Sequence, residues 1–119
     1  MELKYGTSGF RCNADKLISY SQKIGESLIY LMSLSKDLKG FLSIIVTASH
    51  NPEQDNGIKI VNSKGKMINS LQSKYLEFYI NTKNKPKLFV NNNNFKIIIG
   101  KDTRNSGDKV INFLSQGIK

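Results

Sequence analysis

Apolar residues fall into two kinds of pattern along this chain, and the switches between them predict its elements. Between residues 15 and 40, Leu17, Ile18, Ile24, Leu28, Leu31 and Leu34 follow helical spacing, so a helix is expected with Asp15 as its cap and Gly40 as its stop. Residues 41–47, Phe-Leu-Ser-Ile-Ile-Val-Thr, are apolar and β-branched, as a strand covered on both faces would be. Ahead of the helix, residues 3–11 read as a short extended segment closing in the turn-forming cluster Gly6-Thr7-Ser8-Gly9. After the strand, Ala48 to Asn56 has loop chemistry, with Asn51-Pro52 and Asn56-Gly57 in it.

Two short runs, Ile58 to Val61 and Lys66 to Ile68, flank Asn62-Ser63-Lys64-Gly65 and predict a hairpin. Ser70 is placed to cap a second helix carrying Leu71, Tyr75, Leu76, Phe78, Tyr79 and Ile80, which ends before Lys85-Pro86. Asn91 to Asn94 is a low-complexity tract that reads as a surface loop. Phe95 to Ile99 predicts another buried-type strand. A last helix starts near Ser106 or Asp108, buries Val110, Ile111, Phe113 and Leu114, and meets Gly117 at the end. Strands alternating with helices, with no repeat and no linker, predict one α/β domain with a mixed sheet.

Composition narrows this reading. A chain of 119 residues suits one domain that buries about two-thirds of its unfolded surface without a disulfide or structural metal. Cys12 is the single cysteine, which suits a reducing compartment. No stretch resembles a signal-peptide core, and no apolar run approaches the ~20 residues of a membrane span. A soluble cytoplasmic protein without membrane contact is therefore expected. The net charge is +9, but 16 of the 18 basic residues are scattered lysines, and only Arg11 and Arg104 are arginines. With 13 Asn and 14 Ile, this composition follows A/T-rich codons and requires no polyanionic partner. No compact basic run or ribonucleoprotein-type aromatic motif is present, so nucleic acid is not an expected partner. The basic surface still favours anionic ligands.

The segment Thr47-Ala48-Ser49-His50-Asn51-Pro52 puts a hydroxyl and an imidazole side by side just after a buried strand, where open α/β sheets place their ligands. On its own the pair is compatible with an ordinary turn, because adjacent residues on an extended chain point apart. Asp55-Asn56-Gly57-Ile58-Lys59 follows, and a returning hairpin would bring the Lys59 ammonium towards Ser49. A nucleophilic hydroxyl flanked by cations suits phosphoryl transfer, which is mostly positioning and charge neutralisation. An ordinary imidazole can exchange a proton near neutrality, so His50 is a candidate for acid–base work. Lys59 is equally compatible with a solvated strand position.

Three motifs together, Tyr5-Gly6-Thr7-Ser8-Gly9-Phe10-Arg11, Thr47 to Pro52 with Asp55 to Lys59, and Gly100-Lys101-Asp102-Thr103-Arg104, resemble the N-terminal domain of the α-D-phosphohexomutases. The third motif follows the serine loop here instead of preceding it, an order that resembles the phosphoacetylglucosamine mutase branch. The resemblance runs from about residue 5 to the C-terminus. It implies a three-layer α/β/α sandwich with a mixed sheet, incomplete in this chain. It also implies interconversion of N-acetylglucosamine 6-phosphate and 1-phosphate, on the route to UDP-N-acetylglucosamine, through a phosphoserine and a sugar bisphosphate. By that resemblance Ser49 carries the phosphoryl group and one of its phosphate oxygens helps hold Mg²⁺. Lys59 neutralises the transferring group, His50 positions it or moves a proton, and Arg11 offers a planar fork to phosphate. Lys101 stands where the family usually has Arg. Asp102 and Arg104 read either as part of a loop bordering the site or as a structural ion pair at the start of a helix.

The family's enzymes build one active site from four domains, and residues 1–119 cover only part of the first. The Asp-x-Asp-x-Asp metal loop, the sugar-recognition loop and the C-terminal phosphate-binding loop have no counterpart here. The chain alone is therefore expected to lack mutase activity, with a phosphorylated hexosamine as ligand and the other domains on a separate chain or a longer product. The alternative is a non-catalytic remnant or an anion-binding docking module.

Overall fold

The computed structural model describes residues 3–48, 51–82 and 94–118. Ser49, His50, Lys85-Pro86 and most of the Asn91 to Asn94 tract lie outside them. A five-stranded mixed sheet organises the chain. Tyr5–Gly6 (β1) and Gly9–Asn13 (β2) form a hairpin with Gly6 opposite Gly9, and Gly9 takes φ +88°, a left-handed value that glycine adopts without steric cost. Asp55–Val61 (β4) pairs antiparallel with β2 on one side and with Phe41–Val46 (β3) on the other. Lys96–Lys101 (β5) runs parallel to β3, giving the order β1-β2-β4-β3-β5. The expected α/β fold with a mixed sheet is borne out.

Three helices connect and cover the sheet: Ala14–Leu34 (α1), Ser70–Asn81 (α2) and Gly107–Ile118 (α3). α1 packs against both of the others. Its cap is Asn13, whose side chain accepts from the Asp15 amide, and not Asp15 as the sequence suggests. It also stops earlier than Gly40, with Ser35 as its cap and a 3-10 turn at Lys36–Leu38. The cap of α2 is likewise one residue ahead of Ser70: Asn69 and Gln72 exchange side-chain-to-backbone hydrogen bonds in a capping box. Gly117 lies inside α3 and does not end it. A Cβ there would sit 2.0 Å from the Gln22 carbonyl oxygen, and one at Gly25 would sit 2.3 Å from the Leu114 carbonyl oxygen, so two glycines let α1 and α3 cross in near backbone contact.

The sheet is one-sided among the described residues. Phe10, Leu42, Ile44, Val46, Ile58 and Ile60 point into the helical layer and are fully buried with Leu17, Ile24, Leu28, Leu76 and Leu114. The alternate positions do not follow them: Ile45 is 38% exposed and Ile98 53% exposed. The continuous apolar run 41–47 therefore belongs to a strand with one face in the core and the other open. The described helices supply one of the two outer layers of a three-layer sandwich. The loop expected over Ala48 to Asn56 is also shorter, because Asp55 and Asn56 already belong to β4. The hairpin expected beyond Val61 reduces to a single bridge to Met67.

Candidate functional site

The open sheet face carries the cations that the sequence singles out. Arg11 is in register with Gly57, and Lys59 lies two positions along the same strand, so strand alternation puts both side chains on that face. Ile45 stands opposite Lys59 in the next strand. The Arg11 guanidinium crosses β4 and its Nη1 donates to the Ala48 carbonyl at 3.3 Å, just past the end of β3. Gly57 makes that crossing possible. A Cβ at this position would lie 2.6 Å from the carbonyl oxygens of both Phe10 and Thr47, and 2.9 Å from Arg11 Cγ. Arg11 Nε is buried with no hydrogen-bond partner among the described residues, so this fork retains a donor.

Ala48 and Asn51 bracket Ser49 and His50 in the sequence, and both are tightly held. The Ala48 carbonyl that accepts from Arg11 also accepts from the Asn51 amide at 2.9 Å. Thr47 donates its amide to the Gly57 carbonyl at 3.0 Å and its hydroxyl to Asp102 Oδ2 at 2.7 Å. The Asp102 amide in turn donates to the Val46 carbonyl at 3.2 Å. Arg104 is only 8% exposed, and a charge that deep needs partners close by. Its Nη1 pairs with Asp102 Oδ2 and its Nη2 donates to the Asn51 carbonyl. The Thr47 hydrogen bond, helped by Arg104, holds the Asp102 carboxyl below the usual carboxylate range.

The two residues after Arg104 extend the same contact. The Asn105 amide donates to Glu53 Oε1 at 2.9 Å, and Asn56 Nδ2 donates to Ser106 Oγ at 2.8 Å while Asn56 Oδ1 accepts from the Gly57 amide. Residues 102–106 thus run along residues 47–56 like one side of a clasp. The ion pair expected between Asp102 and Arg104 exists, and it is wired into the serine loop. Lys101 is apart from this network, paired at 3.5 Å with Asp108 on the surface. Cys12 neighbours Arg11, but burial pushes its thiol up, which disfavours the thiolate.

Comparison with known proteins shows the family. Residues 28–87 match the family described as phosphoglucomutase/phosphomannomutase, alpha/beta/alpha domain I. The chain belongs to the phosphohexomutase family. Human phosphoacetylglucosamine mutase is 31% identical over 128 residues, a match covering 98% of this chain and 23% of the human protein. The structure of Aspergillus fumigatus N-acetylphosphoglucosamine mutase in complex with GlcNAc-6P and magnesium superimposes with TM-score 0.80 at 28% identity, covering 99% of this chain and 23% of that one. A serine-to-alanine variant of the Aspergillus enzyme in complex with glucose 1,6-bisphosphate superimposes with TM-score 0.79 at 26% identity, over 99% of this chain and 24% of that one. The chain spans under a quarter of the length of these phosphohexomutases.

Three contributors to this candidate site are not legible in the sequence. Gly57 stands in the Asp55 to Lys59 motif and in a turn-like Asn-Gly pair, and its steric role depends on Arg11 arriving from another strand. Thr47 stands in the serine motif, but its hydroxyl finds its partner, Asp102, 55 residues away. The contacts from Arg104 to Asn51 and from Asn105 to Glu53 span 53 and 52 residues, beyond the reach of any local pattern.

Proposed function

We propose that this chain is the phosphoserine-bearing part of a phosphoacetylglucosamine mutase, interconverting N-acetylglucosamine 6-phosphate and 1-phosphate for UDP-N-acetylglucosamine synthesis. The remaining domains come from a longer product or a separate chain. The observation that carries the reading is the Arg11 fork, brought across Gly57 onto the carbonyl that precedes Ser49, with Lys59 on the same face. In the proposed reaction, phosphoserine 49 loses its phosphoryl group to a free hydroxyl of the sugar monophosphate. The O–P bond at Ser49 breaks as a new one forms on the sugar, and the serine oxygen takes up a proton. The resulting bisphosphate, turned in the site, returns its other phosphate to Ser49. Arg11 and Lys59 neutralise charge on the transferring group, and His50 moves the proton or positions the serine.

A magnesium ion is bound in the Aspergillus relative. Among the described residues no three His, Cys, Asp or Glu side chains come together to hold one. Phosphorylated Ser49 would be this chain's contribution, and an ion held there would draw charge from the phosphoryl oxygens. The test is intact-mass measurement after prolonged incubation of the chain with glucose 1,6-bisphosphate. One phosphoryl group is expected, absent in Ser49→Ala and slowed in Arg11→Ala. A chain that stays unlabelled under every condition overturns the reading in favour of an anion-binding or remnant module.

A further inference from the structure

We infer that Asp102 and Arg104 are positioning residues for Ser49, forming a strap from the end of β5 that fixes the backbone on both sides of the serine. The inference rests on the phosphoryl-transfer reading and assigns a task to residues which that reading leaves idle. On the upstream side, Asp102 accepts from the Thr47 hydroxyl, and its amide holds the Val46 carbonyl. On the downstream side, Arg104 Nη2 holds the Asn51 carbonyl. The two halves are joined by the ion pair between Arg104 Nη1 and Asp102 Oδ2, and the Arg104 amide donates back to Asp102 Oδ1 at 3.1 Å. The Ala48 carbonyl, held by the Asn51 amide and Arg11, completes the frame.

The geometry is more specific than a helix-start ion pair requires. Such a pair would need only Asp102 and Arg104 themselves, whereas both side chains here reach out to the chain segment 47–51. The guanidinium matters for its shape: one nitrogen meets the Asp102 carboxylate and another the Asn51 carbonyl. An ammonium, as a point charge, does not span both. Positioning of this kind affects rate steeply, since a displacement of about 1 Å at a reacting atom costs about 100-fold.

The experiment compares wild-type chain with Asp102→Ala, Asp102→Asn, Arg104→Ala and Arg104→Lys. Each is incubated with glucose 1,6-bisphosphate to follow the rate of Ser49 phosphorylation, and separately in deuterated buffer to follow exchange at the Asn51 amide. Ile80→Val, a destabilising change on the buried face of α2, serves as the control for stability alone. The expected result is labelling slowed at least tenfold in both alanine variants, in the maximal rate more than in the half-saturating concentration. Asn51 exchange should rise at least tenfold, Arg104→Lys should fail to rescue, and Asp102→Asn should fall between. Ile80→Val should label at the wild-type rate. Unchanged labelling with unchanged Asn51 exchange in the alanine variants overturns the inference, and so does a loss that Ile80→Val reproduces. A wild-type chain that does not label overturns the mutase reading instead; the exchange at Asn51 then still decides whether the strap holds the loop.

Discussion

At the scale of single residues, the site depends on side chains that are absent or shared. Gly57 lies on β4 between two neighbouring strands, where a methyl group would press on two carbonyls and on the Arg11 side chain. Gly57→Ala is therefore expected to destabilise the chain by about 1–3 kcal/mol, the usual cost of overpacking. It should also slow Ser49 phosphorylation by displacing Arg11; urea unfolding and mass labelling check the two effects. Asp102 gives a pH signature. Its pKa in the folded chain is depressed, chiefly by the Thr47 hydroxyl, so its contribution to stability is present above the unfolded value near 3.8 and is lost as pH falls through the lower folded value. Asp102→Asn lacks that contribution at every pH, so it should be less stable than wild type at pH 7 and lose less stability as pH falls below 4, read by urea unfolding across that range. Equal acid profiles would contradict it.

At the scale of elements, much of the architecture was legible because hydrophobic period is local information. The three helices and strands β3 and β5 stand close to where their patterns put them. The buried-type strand expected over Phe95 to Ile99 instead runs Lys96–Lys101 with no residue fully buried, because it ends the sheet order and one face is open. α3 buries Val110 and Leu114, while Ile111 and Phe113 are half-buried. The boundaries were less legible, for identifiable reasons. Asn13 caps α1 and Asn69 caps α2 because their side chains meet amides two and three residues on, while Asp15 and Ser70, equally good caps by type, fall inside the first turn. Asp55 and Asn56 read as loop, yet they extend β4 because β2 pairs with them, Cys12 opposite Asn56 and Asn13 opposite Asp55. The same limit applies to the site: the family resemblance singles out Arg11 and Lys59, but the long-range contacts of residues 102–106 lie in no one segment. Two predictions belong here. Asn69→Ala should cost about 1 kcal/mol through the lost cap, with no change in Ser49 labelling, since α2 lies away from the serine loop. Gly117→Ala should cost more than that, because α1 and α3 must move apart; thermal unfolding ranks the two.

At the scale of the molecule, the division between the two sheet faces is the dominant feature. One face is sealed by three helices, and the other presents Ile45 and Ile98 beside the cationic residues. Exposed apolar residues grouped on a flat face promote association. Ile98→Thr is expected to raise the concentration at which the isolated chain begins to self-associate, read by light scattering, without altering its helix content. No helix among the described residues is long and apolar enough to cross a membrane. The chain covers 23% of the human mutase, and under the proposed function the phosphate clamp and metal loop that the family resemblance implies would come from outside these residues.

Under the proposed function, this chain takes up the phosphoryl group on Ser49 but does not complete the isomerisation alone. A single incubation with glucose 1,6-bisphosphate and N-acetylglucosamine 6-phosphate reads both parts, by intact mass of the protein and by analysis of the sugar phosphates. The account predicts up to one phosphoryl group per chain, on Ser49, with no net formation of the 1-phosphate. An unlabelled protein, or steady turnover by the 119-residue chain alone, would contradict it.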